Sequence, residues 1–212
     1  MPATSNLARS PGRQRDPLKR AAIIEAAMKL FLEDGFGMVS MEAVAAAASV
    51  SKMTLYKNFP DKEVLLEECV KHITMGMVGE LFRTQAAGGT LAEGLCALGR
   101  AFLARVCRAE TVAAERSLPI SLVNNPQLAK RFYDAGPARM LQSVADTLSN
   151  AHNRGELLIE DPMEAADDLL ALWKGDLQKR MMLGLEKPPT ANQIAERINR
   201  KTAIFLLAYR RQ

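Results

Sequence analysis

Apolar positions recur along this chain at intervals of three and four residues, the spacing of one buried helix face. Nowhere do apolar and polar residues alternate over the length of a strand. The first apolar set is Ile24, Ala27, Met28 and Phe31, with Leu30 adjoining. Asp16-Pro17 supplies a cap and a proline at the first helical position, and Gly35 ends that helix after Asp34. Two short helices follow, Met41 to Ala48 and Lys52 to Asn58, joined by a tight turn at Ser49-Val50. Pro60-Asp61 then opens a long helix from Lys62 to about Gln85, which Ala86-Ala87-Gly88-Gly89 breaks.

Beyond the break, Thr90 with Glu93 forms a capping box and opens a helix to about Arg108, with Leu91, Leu95, Leu98, Phe102 and Val106 at core spacing. A further helix over roughly Ala109 to Val123 contains Arg116 and Pro119. Asn125-Pro126 restarts the chain, and Gly136-Pro137 interrupts or kinks the next element, which continues through Leu141, Val144 and Leu148 to Gly155. Asp161-Pro162-Met163-Glu164 opens a helix carrying Leu169, Leu170, Trp173, Leu177 and Met181 to about Leu185. Thr190 with Gln193 caps the last helix, which ends near Tyr209. The pattern predicts an all-α chain: a disordered basic arm over 1–15, a three-helix head over 16–61, and a bundle of about six helices over 62–212.

The head carries the candidate chemistry. Ala45, Ala46 and Ala48 are small enough to let two helices cross closely, as a helix-turn-helix requires. Ser51 is a natural N-cap for the second of them, whose Leu55 face, with Val50 and Phe59, turns inward. Lys52, Thr54, Tyr56 and Lys57 turn outward, giving hydroxyl and aromatic groups for base edges and sugars and lysines for phosphates. Periodicity alone also fits an ordinary helical hairpin with a solvated polar face.

Composition and charge narrow the choice. Hydrophobic residues make up 48% of the chain and aromatics only 5%, which suits a well-filled helical interior. No apolar run approaches the ~18 residues of a membrane span, and the N-terminal stretch lacks the apolar core of a secretory signal. The expected setting is therefore the cytoplasm, away from any membrane. Of the net +4, residues 1–62 carry +3, with nine basic side chains against six acidic ones. Such a basic N-terminal third is the footprint of a phosphate-binding surface. Arg9, Arg13 and Arg15 would then form an arm along or inside the minor groove.

The three cysteines, Cys69, Cys96 and Cys107, form no even disulfide framework and are expected reduced. Cys69 and His72 lie one helical turn apart, but no second pair follows, so neither metal nor cofactor is expected. With two histidines in all (His72 and His152), no Ser/His/Asp set and no phosphate loop, the chain is read as a non-enzyme.

Arg20 through Asp34, Gly35, Phe36, Ser40, Val50-Ser51-Lys52 through Leu55-Tyr56, Phe59, Lys62-Glu63 and Leu66 resemble the TetR/AcrR family of bacterial regulators over about residues 19–70. Ser49 departs from that pattern, since such proteins usually carry glycine at this turn. A serine held there in the left-handed region costs roughly 1 kcal/mol. Arg131-Phe132-Tyr133-Asp134-Ala135-Gly136-Pro137-Ala138-Arg139, followed by Arg154-Gly155-Glu156-Leu157, looks like the AefR-like C-terminal branch of the family.

The resemblance implies a ligand-responsive regulator, most often a repressor, acting as a homodimer on a palindromic double-stranded operator. Its fourth helix would link the head to the ligand-binding bundle. Its dimer would use the two penultimate helices, here about Pro137–Asn153 and Met163–Gly184. Thr54 and Tyr56 are the expected base or sugar contacts. Arg20, Ser40, Lys52, Lys57 and Lys62, beside the cap Ser51, are assigned to phosphates.

An effector that is small and apolar would sit among Met75, Phe82, Phe102, Val106, Met140 and Trp173, with Arg105, Glu115 and Asp134 orienting any polar group. Plain core packing is the alternative for each apolar residue. A solid bundle without a cavity would instead suit a constitutive, architectural DNA-binding protein.

Overall fold

A computed structural model describes residues 17–210, apart from the side chains at 116, 117 and 119–121. The predicted arm with Arg9, Arg13 and Arg15, the cap Asp16, and the Arg116 and Pro119 side chains lie outside the described residues. The described part is all-α. Helices α1 (Pro17–Glu33), α2 (Met41–Ala47) and α3 (Lys52–Asn58) form the head. The body comprises α4 (Lys62–Ala86), α5 (Leu91–Val106), α6 (Ala109–Val123), α7 (Pro126–Ala135), α8 (Pro137–Asn153), α9 (Pro162–Lys174), α10 (Leu177–Met182) and α11 (Ala191–Ala208).

Capping sets most of these boundaries. Ser51, Asp61, Thr90, Asn125, Asp161 and Thr190 each accept a backbone N–H from the first turn they precede. Thr90 with Glu93 and Thr190 with Gln193 form complete capping boxes. At seven residues each, α2 and α3 are too short to persist alone. They are held by burial of Val44, Leu55 and Phe59, each worth about 1.5–3 kcal/mol.

Gly136-Pro137 interrupts the chain between α7 and α8, the stronger of the two expected effects. One element differs from expectation. The helix expected from Asp161 to Leu185 is broken at Gly175, whose φ is 52°. There Arg197 of α11 donates from Nε to the Trp173 carbonyl at 2.7 Å and from Nη2 to the Lys174 carbonyl at 3.0 Å. A long-range arginine thus satisfies the last carbonyls of α9, and a Cβ at Gly175 would lie 2.5 Å from its Nη2.

Two apolar cores result. In the body, Leu95, Leu98, Val144, Leu148, Leu169 and Ile198 enclose Trp173, which is fully buried and donates its indole N–H to Thr202 Oγ1 at 3.0 Å. The crossing of α5 with α11 is so close that a Cβ on Gly99 would stand 2.8 Å from Ile198. In the head, Ile23, Ala27, Phe31, Val44, Leu55 and Phe59 form a core that continues into Leu65, Leu66 and Cys69 of α4 and Leu128 of α7. Head and body therefore share walls along the first turns of α4.

Helix α8 has one apolar face, through Met140, Val144 and Leu148, and exposes Arg139, Gln142, Asp146 and Asn150.

Candidate nucleic-acid interface and internal cavity

The α2–α3 turn is built on an unusual residue. Ser49, at φ 53°, is the one non-glycine with positive φ among the described residues. Its N–H reaches the Ala46 carbonyl at 3.1 Å, and the Val50 N–H reaches the Ala45 carbonyl at 3.0 Å. That pair of bonds is a Schellman ending with serine at the position glycine favours. The departure noted in the sequence is therefore a real left-handed residue.

Beyond the turn, Ser51 Oγ accepts the Thr54 N–H at 3.2 Å and lies 2.9 Å from Thr54 Oγ1. Leu55 and Phe59 are fully buried, so α3 presents Lys52, Met53, Tyr56 and Lys57 to solvent with Thr54 half-buried beside them. Lys52 Nζ lies 3.3 Å from Glu42 of α2. The Glu42 carboxyl is held below the usual glutamate range by backbone N–H at the start of α2 and by Lys52. Ser40 Oγ caps α2, accepting the Ala43 N–H at 3.1 Å, and remains exposed.

Two of the sequence-assigned phosphate residues are engaged within the protein. Arg20 pairs with Glu68 of α4 and lies 4.4 Å over the Phe59 ring. Lys62 Nζ donates to the Phe36 and Val39 carbonyls at 2.8 and 2.9 Å and sits 4.6 Å from the Phe36 ring centroid. Burial pushes its ammonium pKa below the ordinary lysine value. Arg20 thus binds α1 to α4, and Lys62 ties the α1–α2 loop to the start of α4. Neither partnership shows in local periodicity, because the partners lie 48 and up to 26 residues away. Met53, 81% exposed on α3, is the outward residue that the sequence reading left out. Its place opposite Leu55 on the helix already implied exposure.

A cavity of about 690 Å³ lies where head and body meet. Met28, Phe31, Leu32 and Phe36 of the head form one wall. Leu66, Ile73 and Met77 of α4 form another, and α5 to α10 close the rest. Of the six expected apolar lining residues, Phe102, Val106 and Met140 are in place. Met75 and Phe82 are 63% and 56% exposed, because they lie on the solvent side of α4, and Trp173 is core. Arg105 and Glu115 line the cavity. Asp134 does not: it is paired at the surface with Lys130.

Glu115 Oε2 accepts from Gln178 Nε2 at 2.6 Å, and burial pushes its carboxyl above the ordinary range against the pull of that bond and of Lys174. Gln178 and Thr111 joined this polar set unannounced, since the break at Gly175 places the first and helix phase alone does not aim the second. Cys69 is buried, bonds the Ile24 carbonyl at 3.7 Å and has its thiol pushed up to about 12 by desolvation. His72 is exposed, so the Cys69–His72 spacing brings no pair together.

Residues 23–69 match the model for bacterial regulatory proteins of the tetR family, and residues 93–211 match that for the C-terminal domain of AefR-like transcriptional repressors. Over 55 residues the chain is 42% identical to the uncharacterized HTH-type transcriptional regulator YdeS of Bacillus subtilis (strain 168), covering 26% of this chain and 28% of that protein. Among solved structures, one assigned to the TetR family from Mesorhizobium loti MAFF303099 superposes with a TM-score of 0.74 at 28% identity, over 91% of this chain and 97% of that one. The flavonoid-responsive regulator FrrA superposes with a TM-score of 0.66 at 33% identity, over 93% of this chain and all of that one (100%).

Proposed function

Because the chain belongs to the TetR family of bacterial transcriptional regulators, with a DNA-binding head, we propose that it is a ligand-responsive repressor that holds its operator as a homodimer. The observation that carries the ligand response is the shared cavity wall. Met28, Leu32 and Phe36 belong to the head, Ile73 and Met77 to α4, and all five face one space. A molecule filling that space touches the head directly, so its binding energy differs between head orientations. Hundredfold release of DNA needs a preference of about 2.8 kcal/mol for the released orientation. A cavity of this size holds a small organic molecule and favours this reading over a constitutive architectural protein, which needs a solid bundle. FrrA, named as responsive to a flavonoid, supports the same reading.

On DNA, α3 enters the major groove with Thr54, Tyr56 and Met53 toward base edges and sugars. Lys52, Lys57 and Ser40 meet phosphates, while Arg20 and Lys62 support the head from within. Two heads joined through α8 and α9 read two half-sites.

Fluorescence anisotropy tests this on the DNA upstream of the protein's own gene, against a scrambled duplex, across a salt series. The expected result is tight binding to one duplex at two chains per site. Equal, steeply salt-dependent binding to both duplexes, or one chain per site, contradicts it.

A further inference from the structure

The apolar cavity ends in a polar corner where α5 gives way to α6. Arg105 stands in the last turn of α5, Thr111 and Glu115 stand on α6, and Gln178 reaches in from α10. Gln178 donates to Glu115 at 2.6 Å and to the Val106 carbonyl at 3.4 Å, so those two side chains satisfy each other. Arg105 differs. Its half-buried guanidinium makes no hydrogen bond or ion pair among the described residues. Glu110, whose charge acts on it, is itself 3.4 Å from Arg108. Thr111 Oγ1 is buried in the same lining with no hydrogen-bond partner among the described residues.

Net charge does not choose the ligand, because Arg105 and Lys174 on the lining are matched by Glu115 and Asp167. Pairing does. The carboxylate Glu115 is already satisfied, whereas the guanidinium and the hydroxyl are open, and unpaired buried polar groups are costly. A guanidinium presents a planar fork that a carboxylate fills with two parallel bonds. We infer that the cavity takes an amphipathic organic acid, an apolar body ending in one carboxylate, with Arg105 as its counter-ion and Thr111 donating a further bond. This rests on the ligand-responsive reading above and names the chemical class of the ligand.

The test is displacement of the neutral dye Nile red from the full-length protein by three ten-carbon probes: decanoate, 1-decanol and decylammonium. Decanoate is expected to displace the dye at about tenfold lower concentration than 1-decanol, the effect of one charge-assisted pair, with decylammonium weakest. Arg105→Gln should bring decanoate to within about threefold of 1-decanol and leave 1-decanol unchanged. Equal displacement by acid and alcohol in the native protein, or an acid preference that survives Arg105→Gln, overturns the inference and leaves the apolar cavity standing. Tighter decylammonium overturns it too and points to Glu115. Failure of all three probes removes the ligand-binding reading itself, and this inference with it.

Discussion

The head and the cavity satisfy their polar groups in opposite ways. In the head, Arg20 has Glu68 and the Phe59 ring, Lys62 has two carbonyls within 3 Å, and Ser40 and Ser51 close helix starts. In the cavity corner, Arg105 and Thr111 Oγ1 are left open beside a satisfied Glu115–Gln178 pair. Among the described residues the head leaves a single buried side-chain atom open, Asn58 Oδ1, whereas the corner leaves a guanidinium and a hydroxyl for the proposed ligand to complete. Side chains held by internal partners suit a surface that must arrive already placed on its target. An incomplete polar corner inside an apolar space gives a ligand something to gain.

The sharpest break in this contrast comes from Lys62. If its ammonium serves the fold, Lys62→Ala should lower stability by about 2 kcal/mol in a thermal or urea melt and leave the salt slope of DNA binding alone. Lys57→Ala should do the reverse, changing stability by less than about 0.5 kcal/mol while lowering the salt slope by about one. Thr54→Ala should cost about 1.5 kcal/mol in specific binding and far less on a scrambled duplex, measured by anisotropy. Ser49→Gly should stabilise the protein by about 1 kcal/mol, by relieving the left-handed serine.

The smallest effect is one of pH. The Glu115 carboxyl is raised in the folded state, so folding takes up a proton and stability falls as pH rises above about 4.5. Glu115→Gln has no proton to lose. It should melt higher than the native protein at pH 7.5, with the gap closing near pH 4.

Features written into adjacent residues were legible in the sequence. Every interior helix start that pairs a cap with a following proline or capping glutamate was readable, because capping involves three or four consecutive residues. The Ser49 anomaly was readable for the same reason. What stayed hidden depends on distant elements. The break at Gly175 needs Arg197, the fate of Arg20 needs Glu68, and that of Lys62 needs the α1–α2 loop. Helix periodicity gave Phe102, Val106 and Met140 the right face, yet it misplaced Met75, Phe82 and Trp173. Period alone marks a face as apolar without saying whether it meets core, cavity or solvent.

In the ligand-responsive reading, whatever fills the cavity repositions the head. Ile73→Trp tests it without any knowledge of the ligand, since Ile73 lines the cavity from α4 and a larger ring there occupies the space a ligand would take. The measurement is specific operator affinity of Ile73→Trp by anisotropy, with a melt to establish that the variant is folded. A folded protein whose specific binding is weaker by about tenfold or more is expected. A folded variant with native operator affinity would contradict it.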